Sequence, residues 1–268
     1  MKVVCWLVLL FVLAVASCTG VRPTEPDIRV LFLGNSLIYE NNLPGVFDAL
    51  ALRNGRLVHS DMIVNGGATL DQWHSQGAVD RAMSSQRYDV VILQERGGDL
   101  LGGFGADAKR RSEQAIKALA VMIRERGARP VMLGTYQPDP RFAAGVAAAE
   151  LEFSSGINLE HLSLANMLAR GQSCFPDAQW IAADGAHPGP DLTLLEAVLL
   201  HLKLFGEFPS ADGFRFVGST FVEHGQFLPP DPVSRSAMPA AENEGHTYTA
   251  ARVSDVIAVA SNAGCRKN

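Results

Sequence analysis

Two kinds of hydrophobic spacing alternate along the chain. Short apolar runs closed by glycine or polar residues have the length and density of strands buried on both faces: Ile28 to Leu33 before Gly34, Leu57 to Val64 before Asn65-Gly66-Gly67, Asp89 to Gln94, Arg129 to Tyr136 and Asn158 to Leu162. Between them lie stretches with helical spacing. Leu43 to Arg53 places Pro44 in its first turn, where a missing N–H costs nothing. Residues 78–86 form a shorter helical stretch, and residues 107–126 bring Ala115, Leu119, Met122 and Ile123 onto one face. Residues 142–155 and Leu192 to Phe205 complete the series. Strands alternating with helices predict a single α/β domain from residue 28 onward, a three-layer sandwich with a central parallel sheet. From about residue 207 the pattern loosens into Pro- and Gly-rich segments, and only residues 247–263 read as a helix. This tail is expected to be an irregular extension of the same domain.

The first residues are patterned differently. Lys2 precedes an unbroken apolar run from Val3 to Ala16, shorter than the roughly 20 residues that span a bilayer as a helix, so residues 1–17 read as a signal peptide. The ending Val15-Ala16-Ser17-Cys18 resembles the lipobox of bacterial lipoproteins, which implies lipidation of Cys18, a membrane partner through that lipid and a short tether over residues 18–27. Cleavage near Ala16 or Ser17 without lipidation, or an uncleaved anchor, is the alternative. Thr19 follows the cysteine, and by resemblance to lipoprotein sorting this favours the outer membrane, periplasmic or surface side, in a Gram-negative source.

Charge and cysteine content narrow the function classes. The 268 residues carry 23 Lys and Arg against 28 Asp and Glu, a net charge of -5 without a basic run, which speaks against a nucleic-acid partner. Four cysteines are too few for a disulfide scaffold and lack zinc spacing. With Cys5 removed and Cys18 lipidated, Cys174 and Cys265 either pair in an oxidising compartment or remain separate thiols. His59, Asp61 and His74 have no recognised ligand spacing, and no metal or cofactor is called for.

Candidate chemistry sits where the strands end, because ligands of parallel α/β sheets bind outside the carboxyl ends of the strands. The loops at 34–42, 65–74 and 94–105 should converge there. Gly34-Asn35-Ser36 presents a serine hydroxyl at the end of the first strand, a candidate nucleophile. A nucleophilic serine needs a base, and the base needs an orienting acid. Asp184-Gly185-Ala186-His187 supplies both in one loop, close enough for a single turn to aim the carboxylate at the ring. Asp191 is a nearby substitute acid, or a helix-dipole partner in the first turn of the following helix.

In this order, the two pieces resemble the SGNH hydrolases, also called the GDSL family of serine esterases. Val30 to Leu37 looks like their first block, and Asp184 with His187 like their DxxH block. The resemblance spans roughly residues 28–206 and implies a flavodoxin-like fold with Ser36, Asp184 and His187 as catalytic triad. It also implies an oxyanion hole made by the backbone N–H groups of Ser36 and Gly67, with Gly66 the near alternative, and by a side-chain amide. The usual Gly-x-Asn-Asp of the third block is absent, and Gln94 in Gln94-Glu95-Arg96 looks like the replacement donor; a polar cap on the strand end is the other reading. Asn35, Asn41, His74 and Glu95 are candidate substrate contacts, with Tyr39, Asn42, Trp73 and Arg96 close by, whereas His224 and His246 have no evident partners. The implied activity is extracytoplasmic hydrolysis of small acyl esters, acetyl above all, with an acetylated carbohydrate the first choice of substrate and short-chain acyl esters or thioesters the second. The alternative is a non-catalytic carbohydrate-binding or envelope-scaffolding lipoprotein on the same fold.

Overall fold

The computed structural model describes residues 26–221, 233–234 and 244–263. Five parallel strands form its centre: β1 (Ile28–Gly34), β2 (Val58–Val64), β3 (Val90–Leu93), β4 (Arg129–Leu133) and β5 (Glu160–Leu162). Their lateral order is β5-β4-β3-β1-β2, all parallel. The chain thus leaves β1 toward one side of the sheet and continues from β3 toward the other. Such a reversal opens a crevice at the carboxyl ends of the two strands, the switch point at which flavodoxin-like sheets bind ligands.

Alternation along β1 shows how one strand feeds two cores. Val30 and Phe32 face a cluster built with α2 (Leu43–Arg53), α8 (Pro190–Phe205) and α9 (Ala250–Ala260). Leu31 and Leu33 face the opposite cluster, built with α3 (Leu70–Ser75), α4 (Ala78–Ser85) and α5 (Ala106–Glu125). An unbroken apolar run such as Val30 to Leu33 is what a sheet covered on both faces requires. The helix α8 is buried without a break from Asp191 to His201, so it lies inside the molecule rather than on it. It begins with Pro190 at its first turn and stops at Gly206, whose φ of 77° is the left-handed region that ends helices.

The expected elements appear with boundaries moved by a few residues. Polar Asp89 and Gln94 flank β3 but still donate backbone hydrogen bonds to Arg29 and Leu33 of β1. The fifth strand starts at Glu160 rather than Asn158, because Asn158 adopts φ 49° as the chain leaves α6 (Ala143–Gly156). The sequence pattern did not anticipate α1 (Ser36–Tyr39), α3 or α7 (Ala165–Cys174). Nor did it anticipate the antiparallel hairpin of β6 (Phe214–Val217) with β8 (Gly245–Tyr248), or the antiparallel edge strand β7 (Val233–Ser234) beside β2. The helix expected over 247–263 is shorter, since β8 takes its first residues. The hairpin and α9 bury Phe216, Tyr248, Val253 and Val256 in the same cluster as α8. No helix among the described residues is long and apolar enough to cross a membrane. The expected signal peptide and Cys18 lie outside the described residues, as does His224.

Phe32 is fully buried at the middle of the sheet and packs edge-on against Phe47 of α2. Replacing it with alanine should lower unfolding stability by about 3–5 kcal/mol in urea denaturation. A loss below about 1 kcal/mol would contradict this packing.

Candidate active site

The nucleophile's position follows from how β1 ends. A side chain on Gly34 would stand 2.6 Å from Ile38 Cδ1 and 2.7 Å from the Gln94 carbonyl, so the strand must close on glycine. Asn35 is extended and caps α1, its Oδ1 accepting the Leu37 N–H at 3.1 Å. Ser36 is therefore the first residue of a short helix, and its backbone N–H meets no acceptor among the described residues. Neighbouring loops hold this turn in place. Asn35 Nδ2 donates to Ala68 O at 3.1 Å, and the buried Trp73 indole donates to Gly34 O at 2.7 Å. The loops after β1, β2 and β3 do converge, since Glu95 beyond β3 accepts the Leu70 N–H at the start of α3.

The base arrives on a narrow loop before α8. An isolated bridge joins Ile181 to Pro188, and Gly189 N–H donates to Trp180 O at 2.8 Å. Asp184 Oδ1 accepts the backbone N–H groups of Ala186 and His187 at 2.9 and 3.0 Å, which closes the turn. Its Oδ2 lies 2.5 Å from His187 Nδ1, and His187 Nε2 lies 2.9 Å from Ser36 Oγ. A proton on Nδ1 leaves Nε2 free to accept the serine hydroxyl. The hydrogen bond to His187, helped by the two backbone donors, holds the Asp184 carboxyl down at about 2 despite partial desolvation.

Four outside contacts brace this loop. Tyr136 Oη, beyond β4, donates to Ala186 O at 3.1 Å, and Asn41 Nδ2, beyond α1, donates to Pro188 O at 2.6 Å. Asp191 Oδ2 accepts the Gln179 N–H at 2.6 Å while its Oδ1 lies 3.3 Å from Arg252 of α9. Tyr248 Oη donates to Pro190 O at 3.2 Å. The C-terminal residues thus support the histidine loop, a role the sequence pattern left open. Asp191 is not within the triad geometry; it fixes the loop's base.

Several expected substrate contacts prove to be internal. Asn35 and Asn41 have their amides bonded to Ala68 and Pro188. Glu95 is buried, with Ser112 and the Leu70 and Arg96 N–H groups on its carboxylate, and burial pushes it up to about 7. Arg96 forms a two-point ion pair with buried Asp99 at 2.9 Å and stacks over Phe104. Asn42 caps α2 and donates to Ser219 O, and Tyr39 is buried against Phe221. His74 is half-buried, its Nδ1 buried with no partner among the described residues. His246 packs beside Tyr248, and burial lowers its ring's basicity. Gly67 is an exposed residue with φ 67°, its N–H without an acceptor among the described residues and with open space where a Cβ would stand; Gly66 is also exposed.

Gln94 differs most from expectation. Its side chain is fully buried, and its Nε2 donates to Gly134 O at 3.2 Å and to Glu196 Oε1 at 3.3 Å. The β3 pleat turns it toward the face covered by α8, away from open solvent, so it is a buried bridge here rather than an available oxyanion donor. Cys174 is disulfide-bonded, and its expected partner Cys265 lies outside the described residues. Glu40, absent from the sequence-based site, brings its Oε1 to 3.2 Å from His187 Nδ1. Its signal was the four-residue spacing from Ser36, visible only once residues 36–39 are known to be helical. Among the described residues, Glu40, Asp184 and His187 are the one group of such side chains close enough to share a metal ion, yet they already bond to one another. A mostly apolar cavity of about 290 Å³ opens at the ends of β3 and β4, lined by Leu101, Phe104, Gln137 and Phe142 and by glycines 97, 98 and 103.

No protein-family model matches the chain, and no curated protein sequence matches it. Solved structures do resemble it. A DUF4886 family protein from Bacteroides uniformis superposes with a TM-score of 0.55 at 15% identity, over 67% of this chain and 83% of that one. The psychrotrophic esterase EstA from Pseudoalteromonas sp. gives 0.52 at 16% identity, over 68% of this chain and 100% of its own. Axe2, an acetylxylan esterase from Geobacillus stearothermophilus, gives 0.52 at 12% identity, over 68% and 95%. At these identities the likeness is one of fold: this chain has an α/β three-layer fold similar to that of EstA and Axe2.

The Gln94–Glu196 pair has a measurable consequence. Burial pushes the Glu196 carboxyl from 4.5 up to about 8, only partly offset by the Gln94 hydrogen bond. Between those values the folded chain keeps a proton that the unfolded chain releases, so this group makes stability fall as pH rises. Glu196→Gln should flatten the decline in urea midpoint between pH 5 and 8 relative to the wild type. Parallel declines in the two proteins would contradict the assignment.

Proposed function

We propose that the chain is a serine esterase of the SGNH type that acts outside the cytoplasm on small acyl esters. The observation that carries this reading is the unbroken line from Asp184 Oδ2 through His187 to Ser36 Oγ, with contacts of 2.5 and 2.9 Å. Ser36 Oγ attacks the ester carbonyl as His187 Nε2 takes its proton, and Asp184 stabilises the imidazolium. The oxyanion that forms is held by the free backbone N–H groups of Ser36 and Gly67. His187 then protonates the departing alcohol, leaving the acyl group on Ser36. A water molecule, deprotonated by the same ring, releases the carboxylic acid and restores the serine.

An acetylated carbohydrate is the substrate class we favour. The exposed rings of Phe104 and Phe142 offer apolar faces at the strand ends, and Axe2 is an acetylxylan esterase of similar fold. We further propose that Cys18 carries lipid and anchors the enzyme to the bacterial envelope, and that Cys174 pairs with Cys265.

Release of 4-nitrophenol from its acetate and butyrate esters tests the reading. Wild-type turnover should fall by about 10⁴-fold or more in Ser36→Ala. A folded wild type no faster than this variant, on these esters and on acetylated sugars, would sink the esterase reading and favour a carbohydrate-binding module. Labelled palmitate should be incorporated by the wild type in bacteria and not by Cys18→Ala; equal labelling would remove the lipid anchor.

A further inference from the structure

A second carboxylate approaches the catalytic histidine from the nucleophile's own turn. Glu40 ends α1, and its backbone N–H donates to Ser36 O at 3.1 Å. The side chain is largely buried, and its Oε1 stands 3.2 Å from His187 Nδ1, on the ring edge that Asp184 Oδ2 meets at 2.5 Å. The Nδ1 edge of the ring therefore lies beside two carboxylates held by different parts of the fold, its hydrogen bond directed at Asp184, with Glu40 at ion-pair distance. Asp184 is placed by the loop before α8, and Glu40 by the helix that carries the nucleophile. We propose that Glu40 is a positioning residue for His187, a second acid beside Nδ1 that backs Asp184 and adds negative charge next to the ring when Nε2 receives the Ser36 proton. The kinetic consequences of this assignment rest on the serine-esterase reading; the electrostatic contact does not.

The physical effect has a definite sign. An anion this close to the ring favours the imidazolium over the neutral imidazole. Burial pushes the Glu40 carboxyl up to about 7, with His187 opposing the rise and Asp184 reinforcing it. Glu40 thus gains its charge across the neutral range in which a histidine base works. The titratable groups facing it are His187 and Asp184 from the loop, Tyr136 from the end of β4, and Tyr39 on its own helix. Both phenols are pushed above their ordinary 10 by burial and remain neutral there, and Asp184 is already ionised. Redundancy follows as well: when Asp184 is lost, an ionised Glu40 remains at the same nitrogen.

The experiment measures kcat/KM against pH on 4-nitrophenyl acetate for the wild type, Glu40→Gln, Glu40→Asp, Asp184→Asn and the double variant Glu40→Gln/Asp184→Asn, each with its thermal midpoint. Glu40→Gln keeps the shape and removes the charge, so the acid limb should move about 1 unit to lower pH. Glu40→Asp keeps the charge and should leave the limb near its wild-type position. At pH 8, Asp184→Asn should lose only about 10- to 100-fold, short of the roughly 10⁴-fold expected when a sole orienting acid is neutralised, and the double variant should approach that larger loss. An acid limb unmoved in Glu40→Gln, with Asp184→Asn alone as impaired as the double variant, would overturn the proposal. A wild type without ester turnover would strike the esterase reading alone. The NMR titration of the His187 ring then decides: a shift to lower pH in Glu40→Gln sustains the contact, and an unchanged titration overturns it.

Discussion

Residues 151 apart in sequence meet across the 2.9 Å hydrogen bond between His187 and Ser36. Much of the carboxyl edge of the sheet serves to hold that distance. On the serine side, Gly34 lets β1 close against the Gln94 backbone, and Asn35 and Trp73 fasten the turn to its neighbours. On the histidine side, Asn41, Tyr136, Asp191 and Tyr248 each bond to the loop or its flanks. These braces come from the end of β1, the turn after α1, α3, the segment after β4, α8 and the C-terminal hairpin, so the geometry depends on the whole domain being folded. The strand reversal between β1 and β3 supplies the open crevice in which the two halves meet.

Electrostatics divides the acids at this edge into distinct states. Asp184, with three donors to its carboxylate, stays ionised at about 2. Glu40 and Glu95 are pushed up to about 7 and Glu196 to about 8, chiefly because burial disfavours the charged form. Groups of one chemical type thus give the histidine one fully ionised neighbour, Asp184, and one that charges across the neutral range, Glu40, while burial holds Glu95 and Glu196 up away from the ring. The Gln94–Glu196 pair lies in a buried layer under the catalytic edge, where one oxygen of each has no partner among the described residues.

The sheet and most of its helices were legible because their apolar spacing extends over enough residues to set a period. Val30 to Leu33 is an unbroken apolar run, Leu192 to Phe205 is apolar at most positions, and Val30 to Leu33 and Leu192 to His201 are buried as that pattern requires. Of the elements that escaped, α1 has four residues and α3 six, too few for periodicity, although Thr69 and Gln72 form a capping box at the start of α3; α7, with ten residues, escaped despite its length. Ser36, Asp184 and His187 were readable as a constellation, and the structure brings them into contact. The roles of polar neighbours were not readable. Asn35, Asn41 and Glu95 looked like open donors and acceptors, but tertiary contacts with residues 25 to 147 positions away occupy them. Gln94 was misjudged for the same reason: its position at the strand end was correct, but which face it turned to depended on the pleat and on Glu196 of a distant helix.

The central claim is that Ser36 is a nucleophile activated by His187. Covalent trapping tests it without knowledge of the natural substrate, because a fluorophosphonate reacts with an activated serine and mimics the tetrahedral intermediate. Intact-mass and peptide analysis should find one phosphonyl group, on the peptide carrying Ser36, with labelling lost in Ser36→Ala and strongly slowed in His187→Ala. An unlabelled folded protein, or a label carried by another residue at equal rate in the Ser36→Ala variant, would contradict the account.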